Sequence, residues 1–183
     1  MVDEVCLWRV GSNQSLSEIG RSALDLEARL QNWLARDIGI LDPGLLVIGR
    51  EVKTDFGGFI DLLCLDIAGN VVVVELKRDK TQREIVAQAL DYGSWVVDLS
   101  NERLTSIARA YLGDRQFDDV FKRKFGIDIP ETLNGDHSIL IVGSHIDASS
   151  ERIIRYLSDT QGAAGSCHTS RQTTTCFPHN RVF

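Results

Sequence analysis

Four residues have the chemistry and spacing of a metal-binding cluster: Glu27, Asp61, Glu75 and Lys77. Asp61 and Glu75 lie in two apolar segments that are joined by a short loop at residues 67–69. Side chains alternate between the two faces of a strand, so a hairpin with this loop places Asp61 opposite Glu75, and Lys77 on the face of Glu75. A slip of one residue would move Asp61 to the other face. The pattern therefore predicts two carboxylates and an amine at the open end of a hairpin.

Two interpretations compete for this cluster. Opposed carboxylates repel each other unless a cation lies between them, and a nearby lysine relieves part of that repulsion. For an isolated Glu-x-Lys, a structural ion-pair cluster is the better explanation. Glu27 shifts the balance, because a carboxylate without compensation is costly within an apolar helical stripe, so a partner is expected and a shared metal site is one candidate. That stripe consists of Leu24, Leu30, Leu34 and Ile38.

The periodicity of apolar residues predicts the elements that must position this cluster. An opening strand is expected over residues 4–10, a polar loop over 11–22 and a helix from 24 to about 37. The later strands are predicted at 45–52, 59–66, 71–77 and 138–142, and the later helices at 81–99, 101–112, 117–125 and 149–157. We therefore expect an α/β fold with a mixed β-sheet flanked by helices.

Length and composition bound the class of protein. The chain has 183 residues, of which 43% are hydrophobic and 25% are charged, so we predict one folded domain over residues 1–159. Residues 160–183 lack helical and strand periodicity, which predicts a poorly ordered tail that adds no strand and can be deleted with little change in melting temperature. No secretory signal is visible at the start of the sequence and no apolar run reaches membrane-spanning length, so we expect a cytoplasmic protein that does not bind membranes.

The cysteines give no sign of a structural metal. Cys6, Cys64, Cys167 and Cys176 are scattered without a CxxC pair, a usage that suits a reducing compartment. Zinc at Cys167-His168 with Cys176 and His179 is disfavoured, because the first two residues are adjacent and no hairpin or helix is predicted to shape a site there.

The motifs together resemble a known superfamily. Asp61 with Glu75-Leu76-Lys77 resembles the PD-(D/E)xK signature of restriction-endonuclease-like nucleases, although Ile60 stands where that signature has proline. Gln88-x-x-x-Tyr92 is similar to the QxxxY motif of the RecB-like branch. Residues 59–98 look most like the nuclease domain of NucS-type endonucleases, and the likeness extends over roughly residues 24–98. The family pattern also includes a further strand after the helix at 149–157, which the tail is not expected to offer.

This resemblance implies a restriction-endonuclease-like core and a nuclease that hydrolyses phosphodiester bonds of DNA with Mg²⁺ or Mn²⁺, with RNA left open as a substrate. It implies that Asp61, Glu75 and the backbone carbonyl of Leu76 bind the metal ion. Glu27 would act through a water molecule or a second ion. Lys77 would orient or deprotonate the attacking water.

Further roles follow from the same resemblance. Gln88 and Tyr92 would position the substrate or brace the site, and Arg78 and Lys80 would contact phosphates. A catalytically inactive module that keeps the fold and binds nucleic acid is the main alternative. The sequence leaves the oligomeric state open, with a homodimer among the options.

Overall fold

The structure is a computed structural model of the whole chain. It describes the backbone of residues 7–10, 16–19, 27–77, 83–143, 149, 152–153, 175–176 and 180–182, with most of the side chains between 29 and 142. Its strands are β1 (Leu7–Val10), β2 (Leu16–Ile19), β3 (Leu46–Lys53), β4 (Phe59–Leu65), β5 (Val71–Lys77), β6 (His137–Gly143), β7 (Thr175–Cys176) and β8 (Asn180–Val182). Its helices are α1 (Glu27–Arg36), α2 (Arg83–Val96), α3 (Asn101–Leu112) and α4 (Phe117–Phe125), with a short 3₁₀ turn at Ile38–Ile40.

The main sheet is mixed. Its strand order is β3-β4-β5-β6-β8-β7. Strands β3, β4 and β5 are antiparallel neighbours, whereas β5 pairs parallel with β6. A parallel pair needs a long crossover connection, and α2, α3 and α4 provide it. The predicted α/β fold with a mixed sheet flanked by helices is confirmed.

Helices cover both faces of this sheet. On one face α1 packs Leu34 against an apolar layer that includes Leu62, Val74 and Leu76. On the other face α2, α3 and α4 pack against a second layer that includes Leu63, Leu65, Val71 and Val73. The central strands are therefore apolar on both sides, as strands buried between two helical layers must be.

The β4–β5 hairpin has the predicted register. Leu62 pairs with Val74 and Leu65 pairs with Val71, and the loop between them contains Gly69 with a φ of 80°. This left-handed conformation favours glycine, as the loop prediction required. If this register is extended by one residue beyond the Leu62–Val74 pair, Asp61 is opposite Glu75.

Two predictions about the ends of the chain are wrong. Leu16–Ile19, expected within a polar loop, forms β2 and pairs antiparallel with β1. Residues 160–183, expected to add no strand, contribute β7 and β8, and β8 pairs parallel with β6. All three strands are short. β8 is defined by its backbone pairing with β6, which lies far away in the sequence, so local apolar periodicity does not mark it. The boundary between residues 159 and 160 and the poor order of the tail stay predictions.

Some predicted features lie outside the described residues. They include the side chains of Arg78 and Lys80 and the disfavoured zinc ligands Cys167, His168 and His179. Of the helix expected at 149–157, residues 149, 152 and 153 are helical. In the described ranges, no helix combines the length and apolarity needed to cross a bilayer.

Candidate active site

Asp61 lies where strands β4 and β5 separate. Its Oδ2 accepts a hydrogen bond of 2.7 Å from the backbone N–H of Leu76. If the antiparallel ladder continued, that N–H would donate to the carbonyl of Ile60. The Asp61 carboxylate therefore replaces a strand carbonyl and lies against the peptide that follows Glu75.

Strand β4 twists at this residue. Ile60 packs with the α2 and α3 layer, whereas Leu62 packs with the α1 layer. Residues two apart share a face in a regular strand, so the chain turns about its axis at Asp61. The sequence predicted Asp61 on the same face as Glu75. The contacts place its carboxylate in the gap between the two strands, and the sharing of one ion by the two acids stays a prediction.

Gln31 of α1 holds the other oxygen of Asp61. Its Nε2 donates to Asp61 Oδ1 and to the Asp61 carbonyl, both at 3.3 Å. Its Oε1 accepts from Nε and Nη2 of Arg50 at 3.1 and 2.8 Å. Arg50 Nη1 donates to Asn32 Oδ1 at 2.8 Å. Because Arg50 occupies the amide oxygen, the amide nitrogen of Gln31 faces the carboxylate, and both Asp61 oxygens are fixed.

Sequence reasoning missed Gln31 and Arg50. Gln31 follows Glu27 by four residues and is 5% exposed, within the stripe that α1 buries. A buried amide costs free energy unless it is hydrogen-bonded. That cost is the feature of the sequence that points to a partner for Gln31. No comparable signal marks Arg50, whose role depends on the pairing of β3 with β4.

Glu75 is 1% exposed and is more deeply buried than Asp61, the other acid of the predicted cluster whose side chain is described. It lies in β5 between Val74 and Leu76, which face α1, so strand alternation places it on the α2 side with Val73. A carboxylate at this depth requires compensating hydrogen bonds or positive charge. A bound cation would supply such charge.

Glu27 and Lys77 are placed by their backbones. Glu27 is the first residue of α1, one helical turn before Gln31, so the two share a helix face. Lys77 is the last residue of β5 and pairs with Gly143 of β6. Their side chains lie outside the described set, and their roles stay predictions.

Tyr92 and Gln88 brace the start of β4. Tyr92 is 3% exposed, and its hydroxyl donates to the carbonyl of Phe59 at 2.8 Å. Gln88 Nε2 donates to the same hydroxyl at 2.7 Å. Phe59 is two residues before Asp61, so the pair fixes the strand that carries the acid. Of the two roles expected for Gln88 and Tyr92, these contacts are those of a brace.

The oxygen atoms at this strand end suit Mg²⁺. The N–H and carbonyl of a strand residue point to the same side, so the Leu76 carbonyl faces β4, as its N–H does. Among the described side chains, no group of three or more His, Cys, Asp or Glu residues could hold a metal ion. Mg²⁺ is usually bound through one or two carboxylates and keeps several waters. Asp61, Glu75 and the Leu76 carbonyl are the oxygen groups here that could hold such an ion.

Cys64, three residues after Asp61, takes no part in this chemistry. It is completely buried in the α1 layer, and burial raises the pKa of its thiol far above the ordinary value. A thiol held protonated is a poor nucleophile and a poor metal ligand. Cys64 therefore acts as a small apolar side chain.

Comparison with known proteins agrees with the predicted resemblance. Residues 26–113, just under half of the chain, match the sequence model of the family described as the endonuclease NucS C-terminal domain. This match confirms the predicted resemblance to NucS-type endonucleases over a segment that contains α1, β3, β4, β5, α2 and α3.

Individual relatives match over a shorter segment. Endonuclease NucS of Frankia alni is 47% identical over 53 residues, which cover 29% of this chain and 24% of that protein. Endonuclease NucS of Streptomyces griseus is 49% identical over 53 residues, covering 29% of this chain and 23% of that protein. The match thus spans under a quarter of each relative.

Two solved structures are similar at a low level. A repair endonuclease from Pyrococcus abyssi has a TM-score of 0.44 at 19% identity, covering 74% of this chain and 45% of that chain. A complex described as EndoMS-dsDNA2 has a TM-score of 0.44 at 20% identity, covering 74% and 44%.

Proposed function

We propose that this chain is a Mg²⁺-dependent nuclease that hydrolyses phosphodiester bonds of DNA. The observation that carries the proposal is the fixed carboxylate of Asp61. One oxygen is held by a helix and the other by the peptide that follows the buried Glu75, within a NucS-type domain. An acid fixed in this way is preorganised to bind a cation.

Each residue at the strand end has a distinct task in this proposal. Asp61, Glu75 and the Leu76 carbonyl provide the oxygen ligands, and Glu27 orders water or supports a second ion. Mg²⁺, when bound, polarises the scissile phosphate and lowers the pKa of water. Lys77 orients or deprotonates the attacking water and offsets negative charge.

The remaining residues support these groups. Gln31 keeps Asp61 in one rotamer, and Arg50 keeps Gln31 in one orientation. Gln88 and Tyr92 hold β4 in place. Arg78 and Lys80, which follow the strand that carries Glu75, contact phosphates of the DNA. Productive geometry then depends on fixed protein groups, and such positioning can supply a large part of a rate enhancement.

A cleavage assay tests the proposal. Labelled single-stranded DNA, duplex DNA and RNA of one sequence are incubated with the protein in Mg²⁺ or in EDTA. We expect DNA cleavage that stops in EDTA and returns with added Mg²⁺. Asp61→Asn and Glu75→Gln should each lower the rate by roughly a thousandfold or more, since each removes a charged ligand. Mn²⁺ titration by calorimetry gives a readout that does not depend on cleavage.

Asp66→Asn is the matched control. Asp66 lies on the same hairpin, but its carboxylate serves the turn. We expect this variant to cut DNA and bind Mn²⁺ like the parent. Equal cleavage by the parent and Asp61→Asn would refute the metal assignment. DNA binding by the parent without cleavage in Mg²⁺ or Mn²⁺ would instead support the inactive binding module.

A further inference from the structure

A basic groove runs along the edge of the main sheet. Strand β3 is an edge strand, and α3 packs beside it. The groove between them has a volume of about 510 Å³ and is lined on its polar side by Arg50, Lys53, Arg103 and Ser106. None of the described residues that line it is acidic. The whole chain has a net charge of −6, so this positive charge is local.

Gly49 forms part of the floor of the groove. A β-carbon at this position would come within 3.0 Å of Ile107 Cγ2 and within 2.5 Å of Val52 Cγ2. Real β-carbons essentially never come as close as the Val52 contact, and the Ile107 contact would be tight enough to make α3 shift. The absence of a side chain at Gly49 therefore lets α3 lie close to β3, where Arg103 and Lys53 line the same groove.

The basic edge continues past this groove. A second depression of about 200 Å³ shares Tyr111 with the first and is lined by Arg36, Arg115 and Lys124. Its one acid is Asp37, whose carboxylate accepts the N–H of Gly39. Strand β3 has eight residues, so the basic edge is roughly 26 Å long. A basic edge of this length suits a linear polyanion better than a compact anion.

The charges along the groove are available to an anion. Arg50 donates to the neutral amide oxygens of Gln31 and Asn32, which orient its guanidinium without neutralising it. Arg103 is 3.5 Å from Asp55, but both side chains are more than half exposed. An exposed pair of this kind contributes little and exchanges readily for a phosphate.

The groove also lies next to the candidate active site. Arg50 pairs with Leu62 across the β3–β4 ladder, and Gln31 links its guanidinium to Asp61. Neighbouring strands are about 4.8 Å apart. We propose that this groove binds the phosphodiester backbone of the nucleic acid that the nuclease cuts, with Lys53, Arg103 and Arg50 contacting phosphates. This inference rests on the proposed function for its substrate.

Binding can be tested without cleavage. The affinity of a fluorescent oligonucleotide, single-stranded and duplex, is measured by anisotropy in EDTA over a range of salt concentrations. Lys53→Gln combined with Arg103→Gln removes two charges of the groove and leaves Arg50, which supports Asp61. The affinity falls with rising salt, and each lost phosphate contact makes the slope of log affinity against log salt shallower by about 0.7 to 0.9. For two lost contacts we therefore expect a slope that is shallower by about 1.5. At moderate salt the affinity should fall by on the order of tenfold.

Lys122→Gln combined with Arg123→Gln is the control. It removes the same charge from α4, outside both depressions. Its affinity and salt slope should stay near those of the parent. Equal losses in the two double variants, or no loss in the groove variant, would overturn the proposal. If the groove variant loses binding while the parent never cleaves in Mg²⁺, the groove is supported as a nucleic-acid-binding site and the nuclease assignment is refuted. If the parent cleaves and the groove variant keeps full affinity, only the proposed binding role of the groove is refuted.

Discussion

The β4–β5 hairpin carries one aspartate at each end of its first strand, and the two differ in where their hydrogen-bond partners come from. Asp66 at the turn accepts from the N–H groups of Ala68 and Asn70 at 2.9 Å and from the Asn70 amide at 3.0 Å. Asp61 at the open end accepts from Leu76 and Gln31, which are 15 and 30 residues away in sequence. One carboxylate is satisfied by its own turn, and the other is held by two separate elements.

This difference separates a structural acid from a candidate ligand. The donors around Asp66 belong to the hairpin turn itself, so the Asp66 carboxylate stabilises that turn. The donors of Asp61 hold it from two directions at a place where the ladder opens. Long-range partners therefore mark the acid whose position the whole fold determines, and the predictions below test that distinction.

Among variants that leave the proposed metal ligands intact, Lys77→Ala should give the largest change. Lys77 ends β5 at the open end of the hairpin, and in the proposed mechanism it acts on water and is not a ligand. We expect kcat for DNA cleavage to fall by about 10²- to 10⁴-fold, the usual range for a positioned acid–base group. The Mg²⁺ concentration that gives half-maximal rate should change little. A parallel loss of metal affinity would mean that Lys77 supports the ion and not the water.

Gln31→Met should weaken the site through Asp61. Methionine keeps the volume and removes both the donor to Asp61 and the acceptor of Arg50. Loss of a group that orients a metal ligand typically costs 10- to 100-fold in metal affinity, which we expect here for Mn²⁺. Asn32→Ala, which also removes an acceptor of Arg50, is the control and should have little effect.

The two variants are distinguished by metal concentration. Excess Mg²⁺ should restore most of the cleavage rate of Gln31→Met, because its ligands are intact but poorly oriented. It should not restore Lys77→Ala. Failure of excess metal to rescue Gln31→Met would give Gln31 a purely structural role.

The same contrast explains what could be predicted from the sequence. The alternation of apolar residues, together with Gly69, predicted the register of the hairpin, because the signals are local. The twist of β4 at Asp61 and the Gln31–Arg50 contact could not be predicted in this way. They depend on how α1 packs on the sheet and on where the β4–β5 ladder ends.

The C-terminal strand shows the same limit. Asn180–Val182 has no periodicity of its own, and its strand conformation comes from pairing with Ile139–Ile141 of β6. Tyr92 illustrates the opposite case. Its motif was recognisable, but the choice between substrate contact and brace required the position of the Phe59 carbonyl.

Asp66→Ala should affect stability and leave cleavage unchanged. It removes the acceptor of three hydrogen bonds in the β4–β5 turn, and each such bond contributes roughly 1 kcal/mol net. Partial replacement by water reduces the sum, so we expect the free energy of unfolding in urea to fall by about 1 to 2 kcal/mol. Cleavage per folded molecule should match that of the parent. A large loss of cleavage in a folded Asp66→Ala protein would remove the distinction between the two aspartates.

Deletion of residues 162–183 should give the smallest effect. The sequence predicts almost no change in melting temperature, whereas the pairing of β8 leads us to expect a small decrease. The deletion removes β8, whose pairing covers one edge of β6 at Ile139–Ile141. Exposure of three strand residues to water loses few net hydrogen bonds, so we expect a loss of about 1 kcal/mol and a melting temperature lower by about 2 to 4 °C. Mn²⁺ affinity should be unchanged, because Asp61 and Glu75 lie on the strands beyond β6. Calorimetry of the deleted and full chains measures both quantities. An unchanged melting temperature would show that β8 adds no stability, and a loss of Mn²⁺ affinity would place part of the tail in the active site.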